Sequence, residues 1–101
     1  MGSIFRRRTP ARTTPSAELH DALLLARTSF ERAHTMPTPM QRDLVSAALD
    51  TLSDVARRAV IAGEGEQALA IVDRFPGPET DAVAGIPWHD VVDAARAELI
   101  A

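Results

Sequence analysis

Residues 14–63 read TPSAELHDALLLARTSFERAHTMPTPMQRDLVSAALDTLSDVARRAVIAG. In the first half of this stretch, apolar residues recur at alternating steps of four and three, which places them along one side of a bundle helix. The members of this stripe are Leu19, Leu23, Ala26, Phe30 and Ala33. Thr14 is a favoured N-cap, Pro15 is a favoured first helical residue, and Met36-Pro37 stops the pattern. The spacing therefore predicts a first helix over residues 15–35.

A second helix is predicted over residues 39–62. Thr38-Pro39-Met40-Gln41 combines a Thr N-cap, a Pro at the first helical position and a Gln three residues after the cap, as in a capping box. The expected buried face consists of Val45, Leu49, Leu52, Ala56 and Ala59, and the residues expected to flank it are Leu44, Ala48 and Val55. Gly63 fits a left-handed C-cap. Because the link between the two helices is short, we expect them to form an antiparallel hairpin.

The remainder of the chain predicts two shorter helices, over residues 66–75 and 87–100, separated by a loop that begins at Pro76-Gly77-Pro78. Their expected buried faces are Ala68, Leu69, Val72 and Phe75 on the third helix, and Trp88, Val91 or Val92, Ala95 and Leu99 on the fourth. No segment shows the alternation of a strand. The expected fold is all-α, a small bundle of three to four helices with an extended basic N-terminal arm.

Charge is distributed unevenly along the chain. Its 11 basic residues are all Arg, and they stand against 14 acidic residues, every one of which lies after residue 13. We predict a flexible basic arm over residues 1–13 and a single helical domain over residues 14–101. The arm residues expected to contact a partner are Ile4, Phe5, Arg6, Arg7, Arg8 and Arg12.

The composition excludes several classes of site and location. The chain contains no Cys, which rules out disulfides, thiolate metal sites and Cys nucleophiles. No apolar stretch approaches the roughly 18 residues of a membrane span, and no apolar region follows the N-terminal arginines as in a secretory signal. The expected location is the cytoplasm. The Ala-rich, Arg-only composition is typical of a high-GC genome, so a virion assembled in a bacterial host is an alternative location.

Three pairs of polar residues have spacings that could suit catalysis or metal binding. Glu31 and His34 have the i, i+3 spacing of di-iron bundle ligands, but the motif occurs once and not on two helices. His89 with Asp93, and His20 with Asp21, could each be half of a metal site or a base with its orienting acid. Neither pair has a third partner in sequence. We therefore predict that the protein is not an enzyme and that it has no catalytic, cofactor-binding or metal-binding residue.

A short segment, Ala62-Gly63-Glu64-Gly65-Glu66-Gln67-Ala68-Leu69, resembles the turn and second-helix start of a tetratricopeptide-type helical hairpin. The resemblance covers less than a tenth of the chain, and no second copy follows at a period of about 34 residues. It therefore implies no family for the whole chain.

The predicted function is a non-catalytic helical module for protein–protein interaction, such as an adaptor, an assembly factor or a structural subunit of a phage or other large assembly. Its partner would be another protein or a second copy. The alternative is a nucleic-acid-binding accessory protein that grips phosphates with its arm. A weak lipid contact through Ile4-Phe5 and the adjacent arginines would be a further use of the arm. A helix-turn-helix is disfavoured because the third helix contains one Arg and two acids.

Overall fold

The computed structural model describes residues 14–78 and 82–100, without the side chain of His34. Within these residues it contains four α-helices, a short 3₁₀ turn at Ala33–Thr35 and one small β-hairpin. The helices are α1 (Pro15–Arg32), α2 (Thr38–Ile61), α3 (Gly65–Arg74) and α4 (Trp88–Ile100). The predicted helical bundle is confirmed. The predicted basic arm lies outside the described residues.

Helix α1 begins and packs as its sequence predicts. Thr14 is the N-cap, and its Oγ1 accepts a hydrogen bond from the backbone N–H of Ala17 at 3.2 Å. Every member of the predicted stripe is buried: Leu19, Leu23, Ala26, Phe30 and Ala33. Helix α1 packs mainly against α2 and α3.

The capping box predicted at the start of α2 is wrong. The N-cap is Pro37, whose carbonyl accepts from the N–H groups of Met40 and Gln41, and Thr38 makes no capping hydrogen bond. Because the helix starts one residue earlier than predicted, Thr38 lies inside its first turn. The Gln41 side-chain amide instead donates to the carbonyls of Ala33 at 2.8 Å and Met36 at 3.1 Å. Gln41 therefore ties α2 to the end of the preceding helical segment.

The end of α2 is a Schellman motif centred on Gly63, which has a φ of +79°. The Gly63 N–H donates to the carbonyl of Val60, and the Glu64 N–H donates to the carbonyl of Ala59. Gly63 has no Cβ to oppose this left-handed conformation. The motif reverses the chain, so that α3 begins only four residues after α2 ends.

The loop between α3 and α4 contains two short strands that the sequence did not predict. Ala82–Val83 (β1) pairs antiparallel with Ile86–Pro87 (β2). Ala84 and Gly85 form the two-residue turn between them, with φ of +54° and +79°, as in a type I′ hairpin. A strand of two residues is too short to show alternation, and Ala-Gly is a weak turn signal. Val83, which is buried, anchors this hairpin to the core.

The core lies where α2 packs against both α1 and α4, with α3 closing one side against α1 and α4. It consists mainly of Leu, Val and Ala, and its largest side chain, Phe30, contacts Trp88 edge-to-face with 5.2 Å between ring centroids. On α2 the buried face is rotated slightly from the prediction, because Val55 is buried and Leu49 is only partly so.

Candidate docking groove

An open groove of about 640 Å³ runs between α1 and α3. We call it the α1–α3 groove. Its lining residues are His20, Leu24, Arg27, Gln67, Ala70, Ile71, Arg74, Phe75 and Pro76. Both helices contribute because α1 and α3 pack directly against each other along this side of the bundle.

The floor of the groove is built around Phe75, the C-cap residue that follows α3. Its ring meets His20 edge-on at a centroid distance of 5.8 Å and lies 6.4 Å from the ring of Trp88. Trp88 in turn contacts the buried Phe30. This chain of aromatic contacts connects the floor of the groove to the core.

The rim of the groove carries two guanidinium groups, those of Arg27 and Arg74. The Arg27 guanidinium lies 5.2 Å from the centroid of the Phe75 ring and donates to the carbonyl of Pro76 at 3.3 Å. A cation over an aromatic face at an exposed site is stabilised by about 0.5–1 kcal/mol. Arg27 is thus held over the floor while its charge stays accessible.

The charge of this groove contrasts with that of its surroundings. None of its nine lining residues is acidic, although the chain after residue 13 contains twice as many acids as arginines. Elsewhere in residues 14–78 and 82–100, three arginines form ion pairs: Arg57 with Glu98, Arg58 with Glu18, and Arg96 with Asp73. For Arg27 and Arg74, no carboxylate within the described part of the chain forms such a pair.

Two further depressions have less distinctive linings. One, of about 560 Å³, lies where α2 turns into α3 and includes Val60, Glu66, Leu69 and Leu99. The other, of about 140 Å³, lies between α1 and α2 beside Leu25 and is lined mainly by small residues. Neither combines aromatic and cationic side chains, so the α1–α3 groove is the candidate site.

The structure describes two of the three polar pairs singled out in the sequence. His89 lies 3.3 Å from the carboxylate of Asp90, whereas Asp93 pairs with Arg96, so His89 and Asp93 have separate partners. His20 Nδ1 lies 3.8 Å from Asp21, and both side chains are at least half exposed. The Glu31–His34 pair cannot be placed, since the His34 side chain lies outside the described part.

The residues predicted to contact a partner through the arm, from Ile4 to Arg12, also lie outside the described residues. Conversely, the sequence did not single out Arg27 or Arg74. The spacing indicates only that each arginine shares a helix face with a small or apolar residue. Leu24 and Arg27 are three residues apart on α1, and Ala70 and Arg74 are four apart on α3. Only the packing of α1 against α3 brings these two pairs to one groove.

No group of three or more His, Asp or Glu side chains suited to a metal ion occurs in the part of the chain that the structure describes. In that same part, no helix is long and apolar enough to cross a bilayer. Comparison with protein-family models, with curated proteins and with solved structures finds no significant match to this chain.

Proposed function

We propose that this chain is a non-catalytic interaction module that binds a protein partner in the α1–α3 groove. The observation that carries the proposal is the apolar floor formed by Leu24, Ile71 and Phe75, which lies open between two helices. An apolar groove flanked by polar residues is the usual form of a docking site for a peptide segment. An adaptor, an assembly factor or a structural subunit would use such a groove.

The shape of the groove favours a peptide over a small molecule. Its volume of about 640 Å³ falls in the range of ligand pockets. A pocket for a small ligand, however, encloses most of its occupant's surface, whereas this groove is open to solvent. A helix lying in the groove would bury one face and leave the other in solvent.

A display library of helical peptides, selected on the full chain, tests this proposal. The groove variant Leu24→Gln/Ala70→Gln reduces the apolar floor and narrows the groove at two positions that are exposed on the surface. The matched control, Leu25→Gln/Ala97→Gln, makes the same changes at exposed positions outside it. Gln is tolerated in helices, so both variants should fold.

We expect the selected peptides to bind the groove variant at least about tenfold more weakly, a loss of roughly 1.4 kcal/mol. The control variant should bind them as the unchanged chain does. Backbone amide shifts on peptide binding should concentrate in α1 and α3. Failure to select any binder, or binders that ignore the groove variant, would contradict the proposal.

A further inference from the structure

The charge of the α1–α3 groove indicates what kind of segment it accepts. Arg27 and Arg74 lie at the groove, whose nine lining residues include no acid. Across the chain as a whole, acids outnumber arginines by 14 to 11, and four of those arginines lie in the first twelve residues. The groove is therefore a basic, apolar surface on an acidic domain.

We propose that the groove binds an amphipathic helix of acidic character, with an apolar stripe toward Phe75 and Ile71 and with Asp or Glu beside that stripe. The inference rests on the proposed function and names its partner class. Charges of complementary sign at the edge of an interface select partners and fix their register. An apolar stripe without acids would fill the floor yet offer no carboxylate to either arginine.

The position of Arg27 strengthens this preference. Its guanidinium is already held by the Phe75 ring at 5.2 Å and by the carbonyl of Pro76 at 3.3 Å. Because the Arg27 side chain has lost part of its rotamer freedom before binding, forming an ion pair with a carboxylate costs less conformational entropy. A planar guanidinium also matches the two oxygens of a carboxylate.

Other occupants fit these observations less well. Nucleic acid would bring phosphates to Arg27 and Arg74, but it would also bring a polyanion toward an acidic domain, and the apolar floor has no counterpart on a phosphate backbone. The basic arm of this chain carries the same positive charge as the groove rim, so it is a poor occupant of the groove. A second copy would fit only if it presented an acidic, apolar helix.

The test uses a library of helical peptides in which the apolar stripe is constant and the flanking positions vary among Glu, Gln and Lys. Selection is made on the full chain with Arg6, Arg7, Arg8 and Arg12 replaced by Gln, so that the arm cannot attract acidic peptides. We expect Glu to be enriched about two- to fivefold at flanking positions, the contribution of an exposed ion pair.

Two variants of the same protein identify the groove as the source of the preference. In the variant Arg27→Glu/Arg74→Glu, Lys should be enriched at the flanking positions instead of Glu. In the variant Arg27→Gln/Arg74→Gln, neither charge should be enriched. Arg42→Glu, an exposed position on α2, is the matched control and should retain the enrichment of Glu. Binders with no charge preference, or with a preference for Lys, would overturn this inference and leave the proposed function intact. A library that yields no binder would instead overturn the proposed function.

Discussion

Glu64 Oε1 accepts a hydrogen bond at 3.0 Å from the backbone N–H of Ser16, so a side chain in the α2–α3 turn caps the first turn of α1. The first N–H groups of a helix have no partner within it, and a carboxylate beside them is favoured by the helix dipole. This contact joins segments 48 residues apart. It also positions α3 beside α1, and the groove depends on that arrangement.

The first prediction is that Glu64→Ala destabilises the fold by about 1 kcal/mol, because the Ser16 N–H loses its acceptor in a partly buried site. Urea unfolding followed by circular dichroism measures the change. Glu31→Ala is the control, since Glu31 is exposed in the last turns of α1, where an acid opposes the helix dipole. Equal losses in the two variants would show that the cap contributes nothing specific.

The second prediction concerns the start of α2. Gln41→Ala removes two hydrogen bonds to the carbonyls of Ala33 and Met36, and we expect it to lower the free energy of unfolding by roughly 1–2 kcal/mol. Thr38→Ala should change it by less than about 0.5 kcal/mol, because Thr38 makes no cap. The same urea titration compares the two variants. A larger effect at Thr38 than at Gln41 would restore the capping box that the sequence suggests.

The third prediction uses the backbone of the small hairpin. Ala84 has a φ of +54°, a conformation that costs a residue with a Cβ roughly 1–2 kcal/mol, whereas Asn adopts it more readily. Ala84→Asn should therefore raise the melting temperature by a few degrees, and Gly85→Ala, at a φ of +79°, should lower it. Calorimetry of both variants tests the sign of each change. A lower melting temperature for Ala84→Asn would contradict the turn conformation.

The fourth prediction concerns a close approach at Gly77. A Cβ built at this position would lie 3.0 Å from Cδ1 of Trp88, so Gly77→Ala should displace the indole ring. Trp88 is the only Trp in the chain, so the Trp fluorescence comes from this side chain alone. We expect a shift in emission maximum with the helical content unchanged. Gly65→Ala is the control, because its nearest contact would be an ordinary 3.8 Å to Val60.

The features predicted correctly from the sequence are those set by local periodicity. The α1 stripe from Leu19 to Ala33 and the left-handed Gly63 were identified because spacing and a single special residue determine them. The β-hairpin at Ala84 was missed because it depends on tertiary anchoring through Val83. The groove was missed for a similar reason, since nothing within ten residues of Arg27 indicates that Phe75 will lie beneath it.

The last prediction concerns the basic arm, in which Ile4, Phe5 and the four arginines are the residues expected to contact a partner. Both the arm and the groove rim are cationic, so we expect them to contact different surfaces of a partner. Deleting residues 1–12 should leave the free energy of unfolding within about 0.5 kcal/mol of its original value, while association through the arm is abolished. Sedimentation velocity and circular dichroism on both forms measure the two effects.

The alternative target of the arm is nucleic acid, and salt dependence separates it from a protein target. Four arginines that neutralise four phosphates of a duplex would give a log–log slope of affinity against salt of roughly −3 to −4. Such binding should be indifferent to base sequence, because phosphates carry no sequence information. We expect no duplex binding at physiological salt, since the acidic residues after residue 13 repel a polyanion. The nucleic-acid function would be favoured over the protein-binding one by duplex binding that persists at physiological salt and shows this slope. That binding should also be lost on deletion of residues 1–12.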